Sequence, residues 1–493
     1  MHLRVARIIT TVFVLAVSVL LLTGCAPDDD PGSSIRDTRI DWPEWDQIHR
    51  VITLADYNTR IVVMGTMLLG LAAGVVGTYM LLRKRALIGD AVSHATLPGI
   101  GIAFILMVQF GGSGKYLPGL LLGATITGLI GVGFILLIKG MTRIKEDAAL
   151  GIVLSVFFGL GVAVLGVIQS MQQGNAAGLE SFIYGKTASM IKSDVILIAS
   201  VALVVIFLSM LLYKEFAILC FDQAFARAQG WPVTLIDIVM MGLVIGVSVI
   251  GLQAVGLILM IALLIIPPAA ARFWTDRLWG MLIISGAVGA MSGMLGSAFS
   301  ALVPRLPAGA IIVVVAAMIF IFSMIFGWQR GMLIRAIEFM KLKRKVAHQH
   351  LFRAAYECLE TQGTRGQEEP IQFSSLLEAR SWSSSQLRRE LVRARKKGLL
   401  DLKENGRAIR LTSAGFTEAV RVVRNHRMWE LYLITHADIA PSHVDRDADQ
   451  IEHVLGTHMV RKLEALLVEA YGVAMPPSPH TLSVPGSGPR GSL

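Results

Sequence analysis

The sequence predicts an all-α polytopic membrane protein, with about eight or nine transmembrane helices followed by a C-terminal cytoplasmic domain. Three observations carry this. Of 493 residues, 54% are hydrophobic, and the mean hydropathy of +0.63 lies well above that of an ordinary soluble chain. Apolar runs long enough to cross a bilayer recur from about residue 59 to residue 327. Charged residues are sparse in that region and become frequent after Gly327.

At the N-terminus, Arg4 and Arg7 precede the apolar stretch Ile8–Leu22, and Leu22-Thr23-Gly24-Cys25 follows. Residues 1–25 therefore resemble a bacterial lipoprotein signal with Cys25 as the lipidated residue, the alternative being an uncleaved extra transmembrane helix. Either way, the acidic, proline-containing stretch 26–56 is expected outside the cytoplasm as a linker. The expected spans are 59–82, 92–110, 118–139, 148–169, 193–213, 234–251, 253–270, 279–302 and 307–327. With residue 26 outside, Arg83-Lys84-Arg85, Lys139–Asp147, Lys214–Arg227, Arg272–Arg277 and the basic run after Gln329 all fall inside, as the positive-inside rule requires. The break at Leu252-Gln253 is equally readable as one bent or re-entrant helix. Glu180–Gly185 is too short and polar to cross, which suits a re-entrant or surface helix. Pro267-Pro268 interrupts helical hydrogen bonding inside a span, either to line a cavity or simply as a packing kink.

Residues 331–347 read as a basic amphipathic linker suited to a membrane surface. From 348 to 413 the expected order is helix 351–362, helix 373–380, a Ser-rich turn, helix 384–397, and two short strands, 399–403 and 408–412, around Asn405-Gly406. Asn-Gly between strands signals a hairpin, and the set reads as a winged helix-turn-helix. A helical segment, 414–473, and a Pro/Gly/Ser-rich tail, 474–493, complete the chain.

Asp90 and His94 stand four residues apart in an apolar region, so a helix places them on one face. Ionisable groups at membrane depth usually mark an ion or substrate path, and carboxylate with imidazole is a ligand set for divalent transition metals. Eight of the eleven histidines lie in the tail: His348, His350, His426, His436, His443, His453, His458 and His480. Within it, Asp449, Glu452 and His453 share one helical face, as do His426 and Glu430, which suits Mn(II), Fe(II) or Zn(II). The cysteines, Cys25, Cys220 and Cys358, are too scattered to suggest a disulfide framework or a zinc site. The sequence contains no GxxxxGK[ST] loop and no nucleophile–base set, which argues against an enzyme and assigns any ATP hydrolysis to a separate subunit.

The stretch Ala86-Leu87-Ile88-Gly89-Asp90-Ala91-Val92-Ser93-His94-Ala95 resembles the permease subunits of the ABC importers for zinc, manganese and iron. So do Leu97-Pro98-Gly99, Arg143–Ile152, Leu252–Gly256 and Ala262–Arg272, in the same order; the resemblance covers roughly 55–330, within a permease domain placed at 57–330. It implies a multi-pass protein of the bacterial inner membrane, a homodimeric permease, a cytoplasmic ABC ATPase and an extracytoplasmic metal-binding protein. It implies metal passage by Asp90 and His94. It also likens Phe221–Gly230, with Phe221, Asp222, Ala226 and Gly230, to the family's ATPase-coupling helix.

The tail, over roughly 348–482, resembles metal-dependent repressors of the diphtheria-toxin and manganese-regulator family through Leu411–Gly415, Asn425–Leu433, Asp449–Leu455 and Pro479-His480. The resemblance implies that 414–473 is a metal-binding and dimerisation segment with ligands His426, Asp449, Glu452 and His453 and an ancillary Glu430. By length His350 falls at a further ligand position, whereas Arg353 stands where the family has an acid. Helix 384–397 is basic enough for DNA, with Ser385, Gln386, Arg388 and Arg389 placed for groove contacts. A basic helix beside a membrane also suits anionic lipid, and such domains also serve as protein-interaction modules. The sequence thus predicts a metal permease with a metal-responsive cytoplasmic domain, the alternative being a membrane-tethered metal-dependent transcription regulator.

Overall fold

The computed structural model describes residues 45–436 except 86, 113, 115, 172–184, 304–305, 363–368, 381 and 404–406. Cys25, Glu180–Tyr184, the Asn405-Gly406 turn, Asp449, Glu452 and His453 lie outside the described residues. The chain divides into two units, Met1–Ile334 and Arg335–Leu493.

The first unit begins with a short helix, α1 (Trp45–Ile52). There follow α2 (Tyr57–Leu82), α3 (Ile88–Gln109), α4 (Leu117–Met141), α5 (Glu146–Ser170) and α6 (Lys192–Leu211). After two short helices, α7 (Tyr213–Phe221) and α8 (Gln223–Ala228), come α9 (Val233–Val255), α10 (Leu257–Ala271), α11 (Leu278–Leu302) and α12 (Ala308–Phe326). Eight of these helices are long and apolar enough to span a membrane. The exception among the expected spans is α10, whose 15 residues rise only about 22 Å, short of a hydrocarbon core of about 30 Å.

The doubtful break is real, but it falls at Gly256 rather than at Leu252-Gln253. Gly256 has φ +84° and ψ 171°, a region open essentially to glycine alone. The chain reverses there, since Gly251 and Met260 pack directly against each other. The prolines do not end α10, which runs through both to Ala271. Pro268 leaves the Leu264 carbonyl without its usual N–H, and Gly77 of α2 packs on that carbonyl so closely that a Cβ would come within 2.0 Å.

Two groups of contacts fix the ends of the bundle. At one end Arg83 and Arg85 meet Asp237, Arg330 meets Asp276, and the Gln329 N–H donates to the Phe273 carbonyl. At the other, Asn58 donates to the Ala188 carbonyl and Gln253 to Asp194. Helices α2 and α11 run antiparallel and are joined by hydroxyls: Ser285 donates to the Gly74 carbonyl at 2.7 Å, and Thr66 donates to Gly293 at 3.1 Å. Small residues and hydroxyls suit a bilayer, where apolar burial gives helices no reason to associate.

In the second unit the expected linker and first helix are one element, α13 (Met332–Thr361), because no Gly or Pro interrupts the stretch. Then come β1 (Ile371–Gln372), α14 (Phe373–Ala379), α15 (Ser384–Lys396), β2 (Leu400–Lys403), β3 (Ala408–Leu411) and α16 (Ser413–His436). The antiparallel sheet has the order β1-β3-β2, pairing Ile371 with Ile409 and Leu400 with Leu411. Phe352, Leu376, Leu387, Leu391 and Ile409 form its core. Ser383 starts α15 with a reciprocal capping box to Gln386, a local code for a helix N-terminus.

Candidate functional site

Asp90 lies in the first turn of α3, where a carboxylate is favoured by the helix dipole. His94 lies one turn further on, and its Nε2 is 3.3 Å from Asp90 Oδ1. Side-chain exposure is 15% for His94 and 27% for Asp90, so the pair is largely enclosed yet reachable. The imidazole packs edge-on against Phe158, with ring centroids 4.9 Å apart. Phe158 is the middle residue of α5, so the imidazole lies level with the centre of that helix. His94 Nδ1 is buried and meets no hydrogen-bond partner among the described residues. A buried ring nitrogen without a partner is costly and unusual enough to ask for a function.

The spacing suits a metal ion. Ligand bonds of about 2.0–2.2 Å at cis angles of about 90–110° put two donor atoms roughly 3.0–3.5 Å apart, and the pair already stands at that separation. Two protein ligands make a weak site, as a conduit needs. Among the described residues no group of three or more His, Cys, Asp or Glu is placed to hold a metal.

Sequence reasoning missed Asp237 on α9. Arg83 Nη1 lies 2.8 Å from its Oδ1, and Arg85 Nη1 lies 3.1 Å from both oxygens. The signal was present: a lone acid in the apolar run Thr234-Leu235-Ile236-Asp237-Ile238 needs a partner. The turn that leads into α3 is thus tied to the first turns of α9. Lys84 within that turn has φ +58°, a left-handed backbone for a residue with a Cβ, at a cost of about 1–2 kcal/mol. A second missed cluster lies at the opposite end, where Lys186 and Gln253 both reach the buried Asp194.

Phe221–Gly230 forms the end of α7, α8 and the turn after it. Asp222 caps α8 by accepting from the Phe225 N–H at 2.9 Å. Phe221 and Phe225 are exposed while Ala226 is buried, and Gly230 turns the chain at φ +78°. The stretch presents aromatic side chains outward and is anchored through a small one.

In the second unit Ser385, Gln386, Arg388 and Arg389 are all exposed on α15. Gln386 spends its side chain on the cap, and Arg388 lies over the Phe373 ring. Gln386 and Arg389 face a groove shared with Lys343, Arg344 and Arg393. His426 is 1% exposed, and its Nδ1 is 3.1 Å from Arg353 Nη1. His350 Nδ1 is likewise 2.5 Å from Arg380 Nη1. Glu430 lies within α16, its side chain outside the described set. Burial, more than the neighbouring Lys397, lowers the His348 pKa. Glu418 is lowered by its bond to Arg421.

The family model of the ABC 3 transport family matches residues 55–327. That of the iron dependent repressor, metal binding and dimerisation domain matches 412–470. The manganese transport system membrane protein MntC of Bacillus subtilis (strain 168) is 39% identical over 390 residues, 79% of this chain and 87% of that one. That length exceeds everything before the tail, so the likeness extends past residue 327. The zinc transport system membrane protein TroC of Treponema pallidum (strain Nichols) is 42% identical over 287 residues, 58% of this chain and 95% of that one. Among solved structures, PsaBC from Streptococcus pneumoniae in complex with Fab aligns with a TM-score of 0.50 and 31% identity, covering 58% of this chain and 96% of that one.

Proposed function

Because the chain belongs to the ABC 3 transport family, we propose that it forms the membrane path of an ATP-driven importer for a divalent metal ion, manganese, iron or zinc, with Asp90 and His94 as transient ligands. The observation that carries this is the enclosed Asp90–His94 pair, at metal-ligand separation, with a ring nitrogen that no other described residue satisfies. Without cargo, His94 Nε2 rests 3.3 Å from Asp90 Oδ1. An arriving cation takes the Nε2 lone pair and the carboxylate while the ring's one proton passes to the unpartnered Nδ1, and the shortage of further ligands among the described residues lets it leave. The three metals share this chemistry, so the pair alone does not choose among them; relatives named for manganese and for zinc agree with that breadth.

The remaining parts follow from the same reading. Two copies of the chain enclose the path in the inner membrane. A separate ABC ATPase docks on Phe221, Asp222, Ala226 and Gly230, and an extracytoplasmic binding protein delivers the ion. The tail faces the cytoplasm as a winged helix-turn-helix joined to a metal-binding and dimerisation segment, and it damps import when internal metal is high. The test is metal accumulation in cells that also express the ATPase and binding protein. Asp90→Ala and His94→Ala, at wild-type membrane levels, should each abolish most uptake; uptake retained in both would end the proposal. Removing residues 346–493 should relieve inhibition at high metal.

The tail's match to a repressor domain favours one second reading, a membrane-tethered transcription regulator contacting DNA through Ser385, Gln386, Arg388 and Arg389. Recovery of specific operator DNA by cross-linking, with no change in metal uptake on deletion of the chain, would favour it.

A further inference from the structure

We infer that Arg353 and Arg380 stand as built-in cations at His426 and His350, so that neither histidine is a metal ligand and the clasp between α13 and α16 closes without metal. Arginine carries five N–H donors, no acceptor and a permanent charge. An imidazole nitrogen 3.1 Å from a guanidinium nitrogen must therefore accept, with its lone pair turned to the arginine. A neutral ring that accepts at Nδ1 carries its proton on Nε2. Metal coordination needs a lone pair, and such a ring offers none at either nitrogen. The same logic holds at His350, which receives Arg380 at 2.5 Å. A metal ion placed beside His426 would also confront a fixed positive charge. His350 and His426 do not fit a metal, although the matched domain is described as metal-binding, so the metal response proposed for the tail rests on Asp449, Glu452 and His453, which lie outside the described residues.

The surroundings complete an internal ion network. Arg353 Nε donates to Glu357 at 2.7 Å, and Arg427, one residue past His426, pairs with Glu360 and lies over the Tyr356 ring. Residues 353, 356, 357 and 360 lie along α13 at spacings of three and four, so one helical face meets the start of the 426–427 turn. His426 and Arg353 are both under a tenth exposed. A buried cation in such a place is tolerated only when its donors are used, and here they hold two helices together.

The test uses the full chain in lipid nanodiscs and hydrogen–deuterium exchange read by mass spectrometry on peptides covering 348–362 and 415–428. Exchange is compared in EDTA and in excess manganese or zinc. Protection of both segments should agree within about twofold. Loss of protection in EDTA, or a tenfold or greater gain with metal, overturns the inference. A second arm uses Arg353→Glu, which replaces the cation with a carboxylate beside His426. That chain should become metal-dependent, less protected in EDTA and restored by metal. A folded Arg353→Glu chain indifferent to metal overturns the inference, and the wild-type comparison decides alone should the variant not fold.

Discussion

Replacing Asp237 with Asn leaves two guanidinium groups at a buried contact without the carboxylate between them. Arg83, Arg85 and Asp237 are 5%, 4% and 8% exposed in their side chains. Removing one partner of a buried ion pair costs about 3–5 kcal/mol. Each arginine keeps a further contact, so the lower figure applies, about 3 kcal/mol. The structure supplies its own probe. Cys220 lies beside this bridge, and burial pushes its pKa up to about 12, with Arg83 pulling it down and Asp237 pushing it up. At pH 8 it reacts with a maleimide almost only when the α2–α9 contact opens. A loss of 3 kcal/mol should therefore speed Cys220 labelling by about a hundredfold, at 1.4 kcal/mol per decade. Asp237→Asn alone would also make the thiol somewhat more acidic, which acts in the same direction. Arg83→Gln separates the two effects. Loss of that charge makes the thiol less acidic and would slow labelling, whereas weakening the bridge speeds it. Faster labelling in both variants, with reduced metal uptake, is the expected result. Asp237→Asn within threefold of wild type, or slower labelling in Arg83→Gln, would refute the idea that this bridge holds the helices.

Gly256→Ala should destabilise the membrane unit by about 1–3 kcal/mol, because alanine is strained at φ +84° and ψ 171°; thermal unfolding in detergent checks it, with Gly242→Ala, which meets open space in mid-helix, expected to be neutral. Acid should loosen the tail in two stages. His348, whose pKa is lowered by burial, takes up a proton more readily when unfolded, so its share of stability is present above the ordinary imidazole value near 6.5 and is lost as pH falls below it. Glu418, lowered by Arg421, adds a loss below about pH 4.5. Exchange of the 348–362 segment at pH 7.5 and 5.5 reads the first stage, and His348→Gln should abolish it.

Much of this was legible because a bilayer allows so few solutions. Every backbone group must be satisfied inside it, so apolar length and loop charge located the spans, with the break near Gly256 placed a few residues early and the start of α3 placed at 92 rather than Ile88. The prolines drew attention to α10, but the actual punctuation is a glycine whose backbone angles no composition reveals. Asp90 and His94 were visible because four residues is one helical turn. Asp237 was not paired in advance because its partners lie about 150 residues earlier in the chain, and nothing local states a long-range contact. In the tail, the Ser-rich turn announced the start of α15, whereas the fusion of linker and first helix into α13 was signalled only by the absence of breakers.

The histidines show what spacing cannot decide. His94, His350 and His426 all carry the residue type that binds transition metals, and sequence reasoning treated them alike. What separates them is the holder of the Nδ1 lone pair. At His350 and His426 an arginine holds it, and since arginine only donates, the ring is committed. At His94 no described residue holds it, and the other nitrogen faces a carboxylate that can change partners. A ligand that must bind and release a travelling ion needs that uncommitted state, whereas a histidine in a permanent clasp needs the opposite. Under the proposed function, one chain uses imidazole as an exchangeable ligand within the bundle and as a fixed acceptor in the tail, and the difference is made by two arginines rather than by the histidines.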